Sequence, residues 1–173
     1  MERLNIGLND ETRKTVSDTL NKILAAEQVL YMKTRNYHWN VVGPHFHSLH
    51  ELFEDQYTAL AESIDAIAER IRALGFNATG TMAEYLKLSN LAEEASATYP
   101  EASDMIARLV EGHENNIRTL REKIDMIGDE CHDGGTADFL TAQMEAHEKM
   151  AWMLRSFLAG PSTENGHTST AKK

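Results

Sequence analysis

Two pairs of side chains that bind metals well lie along one predicted helix. His50 and Glu54 form the first pair, and Asp65 and Glu69 form the second. Both pairs have i,i+4 spacing, which places two side chains over adjacent helical turns where one cation contacts both. Imidazole combined with carboxylate suits iron, manganese or zinc. The spacing therefore suggests metal binding.

The four side chains share one arc of the helix, about 100° wide, beside the apolar stripe and pointing away from the core. A solvated charged face is the alternative, because most charged helix faces bind nothing. Other acidic residues fall on or next to the same arc, namely Glu51, Asp55 and Glu62. Spacing alone leaves both interpretations open.

The distance between the two pairs decides whether one chain or two chains could supply the ligands of one site. His50 and Asp65 are separated by about 22 Å along a helix, so the pairs of one chain cannot hold the same ion. If this helix packs antiparallel against its twofold mate, the first pair of one subunit meets the second pair of the other. His38, at the end of the preceding helix, is close enough in sequence to complete the set.

Helical periodicity predicts an all-α, ferritin-like four-helix bundle, in which the long link between the second and third helices carries a short extra helix. Asn9 is the predicted N-cap of the first helix, and Gly43-Pro44 ends it. We place one bundle domain at 1–159 and a flexible, Ser/Thr/Gly-rich tail at 160–173. The predicted helices span about 9–38, 46–74, 82–88, 101–127 and 136–158.

Composition narrows the class of function. The formal net charge of -10 disfavours contact with phosphate backbones and favours cations. One cysteine, Cys131, excludes an intrachain disulfide framework. We find neither a secretion signal nor an apolar run long enough to span a membrane, so we expect a cytoplasmic protein.

Three polar residues fall on the apolar stripes of other helices: Glu27, His113 and His147. They suggest either a metal site inside the bundle or a buried hydrogen-bonded network, and we favour the network. An internal di-metal site needs Glu-x-x-His motifs on core helices, and the sequence has this motif only at Glu164–His167, in the predicted tail. His45 and His47, in the first interhelical turn, are either auxiliary ligands or surface histidines.

A longer pattern resembles the signature of the Dps family, the dodecameric mini-ferritins. The resemblance covers nearly the whole helical body but neither tail. It is carried by His38-Trp39-Asn40-Val41 with Gly43, by Phe46, by His50-Glu51-Leu52-Phe53-Glu54, by Asp65-Ala66-Ile67-Ala68-Glu69-Arg70-Ile71, and by the ending His147-Glu148-Lys149-Met150-Ala151-Trp152-Met153-Leu154.

The resemblance implies a two-metal ferroxidase centre shared across a twofold interface, with three ligands from one subunit and two from its mate. Glu54 stands where many relatives have aspartate, which alters the reach of the ligand but not its chemistry. Zinc is a competing ion, because His/carboxylate sets also bind it. The implied ligands are His38, His50 and Glu54 from one chain and Asp65 and Glu69 from the other.

The family activity implied is the oxidation of Fe(II), by hydrogen peroxide in preference to oxygen, with storage of the ferric mineral in a hollow homododecamer. Such a protein protects the cell from oxidative damage. Trp39 resembles the family tryptophan beside the centre, a sink for stray oxidising equivalents, although a packing role is an equal alternative.

Two further features follow from the family comparison. Asp129, Asp133 and Asp138 resemble the acidic residues that line the threefold pores, although Gly134 stands where relatives often carry another aspartate. DNA binding in the family is tied to lysine-rich tails, whereas this chain offers only Arg3, Lys172 and Lys173 there. We therefore expect weak or absent DNA binding.

Two rivals remain: an architectural protein that compacts DNA, and another di-metal helical enzyme, such as a manganese catalase or a rubrerythrin-like protein. The sparse basic tails count against the first rival. The lack of Glu-x-x-His in the predicted core counts against the second.

Overall fold

The computed structural model describes residues 4–159, and these form helices and loops without a β-strand. The helices are α1 (Asp10–Asn40), α2 (Phe46–Ala73), α3 (Met82–Leu88), α4 (Ala102–Asp125) and α5 (Gly134–Leu158), with a π-helical turn at Met126–Glu130. Two parts of the chain lie outside the described residues. One is the predicted tail from residue 160, which contains Glu164, His167, Lys172 and Lys173, and the other is the N-terminal segment with Arg3.

The four long helices pack as two hairpins, α1 with α2 and α4 with α5, and the chain crosses between them through a long link that contains α3. This is the all-α bundle with one crossover that the periodicity predicted. The predicted N-cap of α1 is confirmed, since the Asn9 side chain accepts a hydrogen bond from the Thr12 backbone N–H at 2.8 Å. No helix within residues 4–159 has the length and apolar character that a membrane crossing requires.

The bundle core consists of two apolar clusters, one towards each end. One contains Leu20 and Leu24 of α1 with Ile71 of α2, and the other contains Leu30 of α1 with Phe53 of α2. A buried polar layer lies between the two clusters along the helices. It is formed by Glu27 from α1, His113 and Asn116 from α4, and His147 from α5.

The start of α5 differs from the sequence-based expectation. The predicted last helix begins at about residue 136, whereas Gly134 and Gly135 already lie in the first turn of α5. The reason is the cap, because the Asp133 carboxylate accepts hydrogen bonds from the Thr136 backbone N–H at 3.0 Å and from the Thr136 hydroxyl at 2.6 Å.

Candidate metal centre

His38 and His50 lie against each other where α1 ends and α2 begins. The short link between these antiparallel helices brings the two rings together, with ring centroids 3.8 Å apart and planes inclined by 19°. His38 is buried and His50 is half-buried. The predicted approach of His38 to the start of α2 is therefore observed within one chain.

Each histidine is oriented by the backbone of the other. The Nδ1 atom of His38 lies 2.8 Å from the His50 carbonyl oxygen, and the Nδ1 atom of His50 lies 2.9 Å from the His38 carbonyl oxygen. A carbonyl oxygen only accepts, so both Nδ1 atoms must carry the proton and donate it. In a neutral ring that is protonated at Nδ1, Nε2 keeps a free lone pair, the form in which imidazole binds metals.

Glu54 adds a carboxylate to the two imidazoles. One ligand atom from each of His38, His50 and Glu54 can be chosen so that all three lie within 4.8 Å of one another, and within residues 4–159 this is the only group of three such side chains. Two nitrogens and one oxygen suit Fe(II) or Zn²⁺. Three ligands would leave at least one coordination position open on a bound ion, and we call this group of three side chains the half-site.

Asp65 and Glu69 are not part of this group. Both are exposed and lie further along α2, on the surface that carries Glu54. The apolar stripe of α2, which includes Leu60 and Ile67, is buried in the bundle instead. One chain therefore brings three of the five proposed ligands together and leaves the other two facing outwards.

Tyr57 lies beside the half-site, and the sequence-based prediction did not include it. Its ring meets the His38 ring nearly edge-on, with centroids 5.2 Å apart, and its hydroxyl lies 3.4 Å from a Glu54 carboxylate oxygen. Partial desolvation and the nearby Glu54 charge raise the pKa of the Tyr57 phenol. The i,i+3 spacing of Glu54 and Tyr57 was the one available sequence signal.

Trp39, predicted as a site residue, lies next to the ligands in sequence but not in contact with their rings. Its side chain is 59% exposed. The described part of the chain shows no ring pair between Trp39 and either histidine, whereas the Arg35 guanidinium lies 5.2 Å from the Trp39 ring centre. Phe46 stacks on the other side of His50, with centroids 5.1 Å apart.

His113 and His147 belong to the buried polar layer instead of this group. In the polar layer, His147 Nε2 is 2.6 Å from a Glu27 carboxylate oxygen, and the Nδ1 atoms of His147 and His113 are 2.8 Å apart. The predicted hydrogen-bonded network is therefore present. Burial, and then the neighbouring His147, hold the pKa of His113 well below its usual range. His47 is exposed, with Glu51 at 3.6 Å.

The three proposed pore carboxylates lie in different environments. Asp133 is buried, and besides capping α5 it forms an ion pair with Arg70 at 3.1 Å. Its carboxylate is therefore committed to contacts within the subunit. Asp129 and Asp138, the other two proposed pore residues, are exposed.

Comparison with known proteins identifies the family. Residues 17–161 match the Ferritin-like domain family. An uncharacterized low temperature-induced protein of Nostoc sp. is 52% identical over 171 residues, covering 99% of this chain and 95% of that protein. The DNA protection during starvation protein 2 of Bacillus anthracis is 41% identical over 146 residues, covering 84% of this chain and 97% of that protein.

Comparison of the fold with solved structures agrees with the sequence comparison. The crystal structure of the Dps protein from Vibrio cholerae O1, described as a member of a broad superfamily of ferritin-like diiron-carboxylate proteins, superposes with a TM-score of 0.84 at 33% identity. The match covers 92% of this chain and 98% of that one. On this sequence and structural evidence, the chain belongs to the Dps family of ferritin-like proteins.

Proposed function

We propose that this protein is an iron-storing and iron-detoxifying mini-ferritin that oxidises Fe(II) at centres shared between twofold-related subunits. One observation carries the proposal. His38, His50 and Glu54 lie close together where α1 ends and α2 begins. The exposed carboxylates of Asp65 and Glu69 lie further along α2 and, within residues 4–159, belong to no such group.

A twofold axis between two α2 helices would complete the centre. In an isologous antiparallel pair, each end of one helix meets the opposite end of the other. Asp65 and Glu69 of one subunit would then face His38, His50 and Glu54 of its mate. Two equivalent centres of five ligands would form at each interface, enough for a pair of iron ions with open positions for an oxidant.

The chemistry of the donors supports iron as the substrate. Neutral imidazole and carboxylate bind Fe(II) and continue to bind it as Fe(III). Zinc fits the same donors and would compete, and because it has no accessible redox change it would block turnover. The resemblance to diiron-carboxylate proteins favours iron.

Pairing two Fe(II) ions suits hydrogen peroxide as the oxidant, in preference to oxygen. Peroxide takes two electrons, so two Fe(II) ions together with one peroxide and two protons give two Fe(III) ions and two water molecules. One electron from each ion avoids the one-electron step that releases hydroxyl radical. This chemistry would make the protein a ferroxidase that limits oxidative damage.

Storage requires an enclosed space, and we propose the hollow dodecamer of the family. The net charge of -10 per chain is multiplied on assembly, so the shell would attract Fe(II). Exposed Asp129 and Asp138 are the proposed pore carboxylates. Asp133 was proposed with them, but its contacts with Arg70 and Thr136 support a structural role in the subunit instead. We expect such a protein in the cytoplasm.

Complementation between two variants tests the shared centre. His50→Ala removes one half-site and Asp65→Ala removes the other, so each assembled variant should oxidise Fe(II) with peroxide at least ~10-fold more slowly than the parent. In a randomly co-assembled 1:1 mixture, half of the interfaces pair unlike chains and each of these has one intact centre. The mixture should therefore recover roughly a quarter of the parental rate.

Absorbance of the ferric product measures the rate, and the particle mass in solution shows whether each preparation has assembled. Glu62→Ala is the matched control, because Glu62 is an exposed acid on α2 outside the proposed ligand set. Co-assembled particles no faster than either variant would show that the centre is not shared. Parental rates in both single variants would refute the ligand assignment itself.

A further inference from the structure

A cleft with a volume of about 430 Å³ lies between α1 and α4. Ile23 and Ala26 of α1 line one wall and Leu120 of α4 lines the other, and the long link that contains α3 adds Leu88 and Asn90. Small-molecule sites in proteins have volumes of this order, and their lining is mostly apolar with a few placed polar groups. The cleft therefore has the size and the apolar lining of a ligand site.

The part of the lining that the link provides is attached to α4. The Asn90 side-chain amide donates hydrogen bonds to the Asn115 side-chain oxygen at 2.8 Å and to the Thr119 hydroxyl at 3.2 Å. Both acceptors lie on α4. The cleft is therefore formed before any ligand enters it, and binding there requires little ordering of the chain.

Asn116 supplies a buried polar group at one end of the cleft. Its side chain lines the cleft, and the residue is only 4% exposed. Within residues 4–159 the Asn116 amide makes one hydrogen bond, from Nδ2 to a Glu27 carboxylate oxygen at 3.3 Å. The amide oxygen therefore remains free to accept a hydrogen bond. A ligand with a hydroxyl group at this end would satisfy that oxygen, whereas an entirely apolar ligand would leave it unpaired.

Two lysines line the other end of the cleft. Because α1 and α4 run antiparallel, Lys22 and Lys123 lie at the same end, and seven residues of α4, about 10 Å, separate Lys123 from Asn116. Lys123 contacts Glu122 at 2.6 Å, whereas Lys22 forms no ion pair within residues 4–159. Two positive charges and one negative charge thus line the cleft, in a chain whose formal net charge is -10.

We propose that this cleft binds a small carboxylic acid that has an apolar body, such as one aromatic ring, and a hydroxyl group at the end opposite the carboxylate. The carboxylate would lie beside Lys22 and Lys123. The apolar body would lie between Ile23 and Leu120, and the hydroxyl would donate to the Asn116 oxygen. The proposed iron oxidation does not require this site, and binding at this site does not require iron.

Charge determines the orientation of the ligand. The Glu27 carboxylate, which accepts the hydrogen bond from Asn116, would repel a second carboxylate at that end, whereas the lysines attract one at the other end. The acidic chain as a whole repels anions, so binding of such an acid outside the cleft should be weak. The charge, the length and the hydroxyl group of the ligand each correspond to a separate part of the cleft.

Calorimetric titration of the assembled protein with para-hydroxyphenylpropionate tests the proposal, because this acid carries its carboxylate and its hydroxyl group at opposite ends of one ring. The parent should bind one molecule per subunit. Phenylpropionate lacks the hydroxyl group and should bind about 10-fold more weakly, because the Asn116 oxygen is then left unpaired. The neutral alcohol para-hydroxyphenylpropanol should also bind about 10-fold more weakly, because it lacks the charge that the lysines attract.

Variants of the cleft separate a specific site from a general response to charge. Lys22→Glu should weaken binding by about 10-fold or more, because it reverses one of the two attracting charges. Lys149→Glu is the matched control, since it makes the same change at an exposed position of α5 outside the cleft, and it should bind as the parent does. Thr19→Trp adds an indole at a half-buried position of the lining and should abolish binding, while thermal unfolding stays close to that of the parent.

Absence of saturable binding to the assembled parent would overturn the proposal. Parental affinity in Thr19→Trp would overturn it as well, and so would an equal loss in the two lysine variants, which would indicate a response to overall charge. Equal affinities for the acid and the neutral alcohol would refute the proposed class of ligand. Oxidation of Fe(II) is not part of this measurement, so its failure would refute the proposed function and leave the cleft unaffected.

Discussion

His38 and His50 each hold the other's imidazole by a hydrogen bond from Nδ1 to the opposite backbone carbonyl. This reciprocal pair joins the end of α1 to the start of α2 and, in the neutral rings, leaves the Nε2 lone pairs free to bind a metal. The same two hydrogen bonds therefore stabilise the hairpin and orient the proposed ligands. A substitution that keeps the hydrogen bond but removes Nε2 separates the two roles.

His50→Asn makes that separation. The asparagine amide can donate to the His38 carbonyl as Nδ1 does, but it has no atom at the position of Nε2. We expect thermal unfolding to remain close to that of the parent, and the affinity for Zn²⁺, used as a redox-inert probe, to fall by about 10- to 100-fold. Calorimetric titration of the assembled protein measures the affinity, and circular dichroism follows unfolding.

His47→Asn is the comparison for this experiment, because His47 is exposed and contacts only Glu51 among charged groups of the described chain. Its zinc affinity should equal that of the parent. Equal affinities for the parent and His50→Asn would mean that Zn²⁺ binds elsewhere.

Asp133→Ala should destabilise the subunit. It removes the N-cap of α5 and leaves Arg70 without its buried partner, whose side chain is 4% exposed. Loss of a cap and of charged hydrogen bonds costs about 2–3 kcal/mol in the free energy of unfolding. Denaturant unfolding measures the change. Asp138→Ala, at an exposed position within α5, should stay within ~0.5 kcal/mol of the parent. A similar loss in both variants would count against the capping role.

The polar layer should make stability depend on pH. The folded-state pKa of His113 is lowered below its unfolded value, so the unfolded chain takes up a proton first as the pH falls. The free energy of unfolding should therefore not depend on His113 above about pH 6.5. Below that pH it should decline by up to about 1.4 kcal/mol per pH unit for one proton. Denaturant unfolding at a series of pH values between neutral and mildly acidic gives the slope.

His113→Asn isolates this contribution. The shorter amide can keep a hydrogen bond to His147 but does not titrate, so the variant should be less stable throughout and show a shallower loss on acidification. Identical slopes for the parent and the variant would assign the pH dependence to other groups.

Much of the architecture and part of the candidate site could be predicted from the sequence, because both depend on helical periodicity. The apolar stripe of α2 and the outward arc with Glu54, Asp65 and Glu69 follow from the repeat of about 3.6 residues per turn, whatever the helix packs against. The separation of the two ligand pairs is likewise a property of one helix. For these reasons the proposal of a shared centre needs no knowledge of the fold, and it stays a prediction.

The rest depended on which distant residues meet, and only the tertiary structure decided that. The carbonyl partners of His38 and His50, the contact of Tyr57 with His38, and the pairing of Asp133 with Arg70 join residues on different elements or across a turn. Charge alone made Asp133 look like its exposed neighbours Asp129 and Asp138. Burial and hydrogen bonding gave it a structural role, because a carboxylate enclosed by a guanidinium and a helix N-terminus has no remaining face for solvent.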